Sequence, residues 1–151
     1  VNVQPGIKWT ISDYMDALLG EDRSAVQWPL QMLTKIGVYV AASSDTPVTY
    51  PNWRQGVQSA ILREAKGSGK VSGPDQRVTI EDAIRMYTMN GAWQDHLEDV
   101  KGSIEVGKWA DVCVLGEDIL TSDPHKISDI PVLMTIAGGK IVYDRGNDFS
   151  K

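Results

Sequence analysis

The chain has 151 residues, 42% of them hydrophobic and 23% charged, the balance of an ordinary globular domain long enough to bury a core. Its 20 Asp and Glu outnumber 15 Lys and Arg, for a net charge of −5. The cations are scattered among acids, which excludes the clustered positive surface that a nucleic acid or an anionic membrane requires.

The single cysteine, Cys113, rules out an intrachain disulfide. Its setting in "DVCVL" reads as that of a small buried hydrophobe. No apolar run approaches the roughly 20 residues of a membrane-spanning helix. Val1 opens the chain directly in a strand-like pattern without an initiator methionine. A fragment is therefore expected, with the cytoplasm as its expected location.

"VNVQPG" alternates Val1 and Val3 and stops at Pro5-Gly6, as a short strand ending in a loop would. "SDYMDALLG" predicts a helix capped by Ser12, with Met15, Leu18 and Leu19 on one face and Gly20 as its stop. "QWPLQMLTKIG" predicts a second helix, with Pro29 at its first position and Gly37 closing it. "VYVAA" (38–42) is β-branched and apolar, and reads as a buried strand. It runs into Ser43-Ser44-Asp45.

Beyond that turn, "NWRQGVQSAILREAKG" predicts a helix with Trp53, Val57, Ala60 and Ile61 as its apolar stripe and Gly67 at its end. Trp9 and Trp53 fit either a pocket mouth or the core. "GSGK" (67–70) is not a phosphate loop: Glu64 stands where the motif needs its first glycine, and Val71 replaces the magnesium-binding Ser or Thr. Thr79 caps the next helix, with Asp82 three residues on. From Gly102 the pattern changes to short strands: a turn at Gly107 feeding a buried strand in "DVCVL" (111–115), and a hairpin closed by Gly138-Gly139. Alternating strands and helices predict an α/β fold with parallel pairing.

Asp45 is the candidate site residue. An acid just beyond a strand and before "TP" can form an Asx-turn or cap a helix. It can equally serve as an acid or base at the C-terminal end of a parallel strand. His96 and His125 read as surface or capping residues, Asp123 and Asp129 as turn formers. Asp111 reads as a tie between a turn and its strand.

"GSIEVGKWADVCVL" (102–115) and "VLMTIAGGKIVYD" (132–144) resemble the C-terminal signature of the amidohydrolase superfamily. "GVYVAASSDTPV" (37–48), "IEDAIRMYTMNGA" (80–92) and "DILTSDPHKISDIPV" (118–132) are similar to its branch of N-acyl and formamide hydrolases, amidohydrolase family 3. The resemblance implies the end of a (β/α)8 barrel: residues 1–98 as the last two strand–helix units and a following helix, and 99–151 as C-terminal strands of a β-sandwich. It implies hydrolysis of non-peptide C–N bonds in a small amide-type substrate, with a divalent metal, zinc first among them, in a complete parent. Asp45 matches the acid that binds or flanks that metal and shuttles the proton.

The same resemblance places the other metal ligands on earlier strands: a His-x-His pair, a lysine or acid, and two histidines. Those segments are not in this sequence, so the isolated chain is expected to hold no metal and to be inactive. Strands taken from a closed barrel expose edges, and a homo-oligomer is expected. The alternative reading is a non-catalytic, self-associating β/α domain in which Asp45 only shapes a turn.

Overall fold

The computed structural model describes residues 1–146; residues 147–151 of the expected second segment lie outside the described residues. The described chain is a mixed α/β fold. Strand β1 (Asn2–Val3) leads into α1 (Pro5–Leu19), α2 (Glu21–Ala25) and α3 (Leu30–Lys35), and the chain returns in β2 (Ala41–Ala42). The two strands pair in parallel, Asn2 opposite Ala41 and Val3 opposite Ala42, as a helical crossover requires. Helices α4 (Trp53–Leu62), α5 (Ile80–Tyr87) and α6 (Met89–Gln94) follow. A three-stranded antiparallel sheet, β3 (Val112–Leu115), β4 (Val132–Ala137) and β5 (Lys140–Asp144), ends the described chain.

Local chemistry explains most of these boundaries. The Thr79 hydroxyl accepts from the Asp82 amide at 3.1 Å and starts α5, the capping predicted from sequence. Gly138 and Gly139 adopt φ of 55° and 76° at the β4–β5 turn, a conformation that two successive glycines adopt without Cβ strain. The hairpin tip is fastened to the strand before it: Gly138 N–H donates to Asp111 Oδ1 at 2.7 Å and Gly139 N–H to Ala110 O at 3.0 Å.

Four local expectations are corrected. Helix α1 begins at Pro5, not after Ser12, because proline is pre-set for the first helical turn and its missing N–H is not needed there. Ser12 instead lies buried in mid-helix, its hydroxyl bonded to Lys8 O at 2.7 Å. Helix α4 stops at Leu62 rather than Gly67, since Arg63 takes a left-handed φ of 54°. The strand in "VYVAA" shortens to Ala41–Ala42, matching the length of its partner β1. Finally, β3 is not a buried strand and Cys113 is exposed: Cys113 and Val114 face opposite sides of the sheet and both are exposed, so neither face is fully covered there.

One apolar core joins the parts: Val3, Leu30, Val40, Val57, Ala60, Ala83 and Met86 meet Ile127 and Ile130 from the segment before β4. Ser128 N–H donates to Gln58 Oε1 at 2.9 Å, fastening that segment to α4.

Two cations are buried beside this core. Lys8 Nζ donates to Ser24 O and Ser24 Oγ at 3.0 Å and to Ser72 Oγ at 2.9 Å, and Ser72 in turn donates to Asp16. Burial, helped by the nearby Arg63 charge and opposed by Asp16, pushes the Lys8 ammonium down to about 8. Arg63 donates to the carbonyls of Ser72, Trp28, Ala25 and Gln27. These bonds tie the segment after α4 to the α2–α3 connection, and the guanidinium's charge is met by carbonyl dipoles.

Candidate active site

Asp45 sits three residues beyond the C-terminal end of β2, in the loop that joins the strand to α4. The loop is held by its own short polar contacts. Ser43 Oγ donates to Asn2 Oδ1 at 2.9 Å, joining the ends of the two parallel strands. Ser44 and Thr46 share a hydrogen bond of 2.7 Å, Thr46 donates to Thr49 O at 3.0 Å, and Thr49 donates to Ser44 O. The turn itself is a main-chain one: Val48 N–H donates to Asp45 O at 2.7 Å, across a cis Thr46–Pro47 peptide.

The Asp45 side chain takes no part in this. Its residue is exposed, its φ is 56°, and among the described residues no hydrogen bond or ion pair reaches its carboxylate. An Asx-turn or helix cap would have engaged that carboxylate with a main-chain amide. The first turn of α4 is capped by Asn52 instead, whose Oδ1 accepts from Arg54 and Gln55 N–H. The carboxylate is thus available for chemistry.

The remaining candidates lie apart. His125 Nε2 meets Glu64 Oε1 at 3.0 Å, and its main-chain N–H bonds Asp123 Oδ1 at 3.0 Å. The Glu64 contact, reinforced by Asp123, raises the imidazole pKa. His96 is exposed, its ring 6.4 Å from that of Trp93. Asp111 is committed to the hairpin tip. Among the described residues no three His, Cys, Asp or Glu side chains gather where they could hold a metal ion. A hydrolytic zinc site needs three such ligands, so these residues do not make one alone.

Two clefts flank the strand ends. The larger, about 780 Å3, runs between β2, α5, α6 and β3, and Trp53 lines it. Its charged groups are engaged: Lys101 pairs with Asp95 at 2.5 Å, and Asp111 holds Gly138. The smaller, about 370 Å3, lies under the 43–50 loop between α1 and α4, lined by Trp9, Ser44, Thr49, Lys66 and Tyr87 among others. Asp45 does not line either cleft. The sequence carries no signal for Lys66 or Tyr87, which reach this cleft only through the packing of α1, α4 and α5.

Comparison with known proteins gives this geometry a lineage. A profile of the amidohydrolase family matches residues 1–143. An N-substituted formamide deformylase from Arthrobacter pascens is 29% identical over 142 residues, 93% of this chain and 26% of the relative. The amidohydrolase YtcJ of Bacillus subtilis is 31% identical over 131 residues, 84% of this chain and 24% of the relative. Among solved structures, a metal-dependent hydrolase from Pyrococcus horikoshii superposes with a TM-score of 0.66 at 28% identity, over 82% of this chain and 25% of its own. An amidohydrolase from Thermotoga maritima gives a TM-score of 0.57 at 26% identity, over 77% and 26% respectively. The chain thus spans about a quarter of the length of these relatives. With the profile running through both the Asp45 loop and the terminal sheet, the chain belongs to the amidohydrolase family.

Proposed function

We propose that this chain is the C-terminal portion of a metal-dependent hydrolase acting on non-peptide C–N bonds of small amide-type molecules, with Asp45 as its acid–base residue. The observation that carries the reading is the uncommitted, exposed carboxylate just beyond the C-terminal end of a parallel strand. Catalytic groups of β/α barrels occupy that end. A carboxylate there can accept a proton from an attacking water and deliver it to the departing nitrogen. In this reading residues 1–98 form the last two barrel units and the following helix, and 99–151 belong to a β-sandwich.

The name of the Pyrococcus neighbour supports a divalent metal in the complete protein, and zinc suits hydrolysis at neutral pH. Its ligands other than Asp45 would come from outside this chain, because the described residues do not assemble a metal site. No step is therefore assigned to a metal, and the isolated chain is inactive in this reading. Elemental analysis after exposure to zinc is expected to find no stoichiometric metal; one tightly held zinc per chain would overturn that division of ligands. In a complete parent, Asp45→Asn is expected to cost about 100-fold or more in turnover with folding intact. Retained turnover would remove Asp45 from the chemistry.

A second copy of the chain is the proposed macromolecular partner. Among the described residues the parallel sheet has two strands, and Val1, Ile36 and Tyr39 are more than half exposed, at 58%, 68% and 51%. Unpaired edges of this kind recruit further strands. Light scattering at micromolar concentration is expected to report a dimer or larger species, and a strict monomer would refute it.

A further inference from the structure

We propose that the cleft of about 370 Å3 under the 43–50 loop binds a small organic carboxylate at a site separate from Asp45. The first argument is charge. The chain carries 20 acids, yet the lining of this cleft contains no Asp or Glu and a single cation, Lys66. An anion entering it meets attraction from one full charge and no opposing carboxylate on the wall.

The second argument is the set of free donors. Lys66 is held in place through its backbone, whose N–H donates to Trp9 O at 2.9 Å. Its ammonium sits 5.0 Å from the centroid of the Trp9 ring and forms no ion pair among the described residues. Tyr87 supplies the other donor. Its hydroxyl lies so close to Gly56 that a Cβ there would be 1.8 Å away, and no hydrogen bond from it is found among the described residues. Burial raises the phenol pKa strongly, so the group stays protonated and donates. The neighbouring polar side chains are already engaged: Thr10 donates to Gly6 O, Thr49 to Ser44 O, and Gln55 to Ser59 Oγ.

Two free donors, one of them charged, match the two oxygens and single charge of a carboxylate. A phosphate dianion would bring more charge and more acceptors than this wall can meet. Trp9, Val48 and Tyr50 give the cleft its apolar part, so the ligand carries a compact hydrophobic or aromatic group beside its carboxylate. The volume falls at the small end of the ligand-site range of about 300–1,000 Å3. Because Asp45 does not line the cleft, binding here needs neither metal nor turnover and stands apart from the hydrolase reading.

Titration of the 15N-labelled full chain with benzoate tests the site. Saturable shifts of the Gly6, Gly56 and Lys66 amides are expected, with neutral benzamide binding much more weakly. Lys66→Met should weaken benzoate binding about tenfold, the loss of roughly one charge-assisted contact, while Lys66→Arg retains it. Tyr87→Phe should weaken it several-fold; if that variant fails to fold, the rim substitution at Lys66 decides alone. No saturable shift with millimolar benzoate, equal binding of benzamide, or unchanged affinity in Lys66→Met would overturn the site. Inorganic phosphate binding more tightly than benzoate would overturn the carboxylate assignment.

Discussion

The buried Lys8 ammonium makes a quantitative prediction. Its residue is 3% exposed, its hydrogen bonds go to uncharged oxygens, and the carboxylate of Asp16 reaches it through the hydroxyls of Ser24 and Ser72. Burial lowers its pKa from 10.5 to about 8, with Arg63 adding to the shift and Asp16 opposing it. Between those two values the unfolded chain holds a proton that the folded chain has released, so stability rises with pH across the window. Below about 8 both states are protonated and the contribution is flat; above 10.5 both are neutral. At 1.36 kcal/mol per pH unit the full rise is about 3 kcal/mol. Urea unfolding of the natural chain and of Lys8→Met, compared from near-neutral to strongly alkaline pH, isolates the effect, since tyrosines and surface lysines titrate alike in both. The natural chain should gain about 3 kcal/mol relative to the variant as pH rises through the window. Parallel pH profiles for the two proteins would refute the buried, charged lysine.

Two more outcomes follow from packing and exposure. Gly56→Ala places a methyl group 1.8 Å from Tyr87 Oη and 2.6 Å from its Cζ, an overpacking that should cost about 1–3 kcal/mol in urea unfolding. Adding Tyr87→Phe should recover part of that loss, and an unaffected Gly56→Ala would disprove the contact. Cys113 is exposed on β3 while partial burial raises its thiol pKa. It should therefore react with a disulfide reagent in the native state, at a rate that climbs with pH. A thiol that reacts only after denaturation would contradict its placement.

What could be read from the sequence was local chemistry. The Thr79 cap, the Gly138-Gly139 hairpin and the Asp111 tie each depend on residues whose conformational or hydrogen-bonding preferences act over a few positions or across one hairpin. Parallel pairing of β1 and β2 was also legible, because strands separated by helices can pair in no tighter way. Lys8 and Arg63 were not. Periodicity assigns charged residues to the surface, and their burial is made possible by oxygens of Ser24, Ala25, Gln27, Trp28 and Ser72, distant in sequence. The exposure of β3 was hidden for a related reason: an apolar run does not disclose whether other layers cover it. At the candidate site, the place of Asp45 just beyond a strand was legible, while its proposed role came from the family resemblance. The cleft beside it was not legible, since Trp9, Lys66 and Tyr87 come from three separate parts of the chain.

The division of labour inside the 43–50 loop gives the Asp45 assignment its physical content. Ser43 joins the loop to Asn2, the hydroxyls of Ser44, Thr46 and Thr49 close it on itself, and the main chain of Asp45 completes the turn with Val48. None of these bonds uses the carboxylate. Asp45 does occupy the left-handed region, at φ 56°, where Asp and Asn are tolerated better than other non-glycine residues. Asparagine at this position would keep both the backbone preference and the loop's hydrogen bonds while removing only the charge and the proton-accepting ability. Loss of turnover in Asp45→Asn within a complete parent would therefore report chemistry and not collapse of the loop. An acid placed to shape the turn would behave in the opposite way: its carboxylate would be bonded to the loop, and its amide replacement would disturb the fold first.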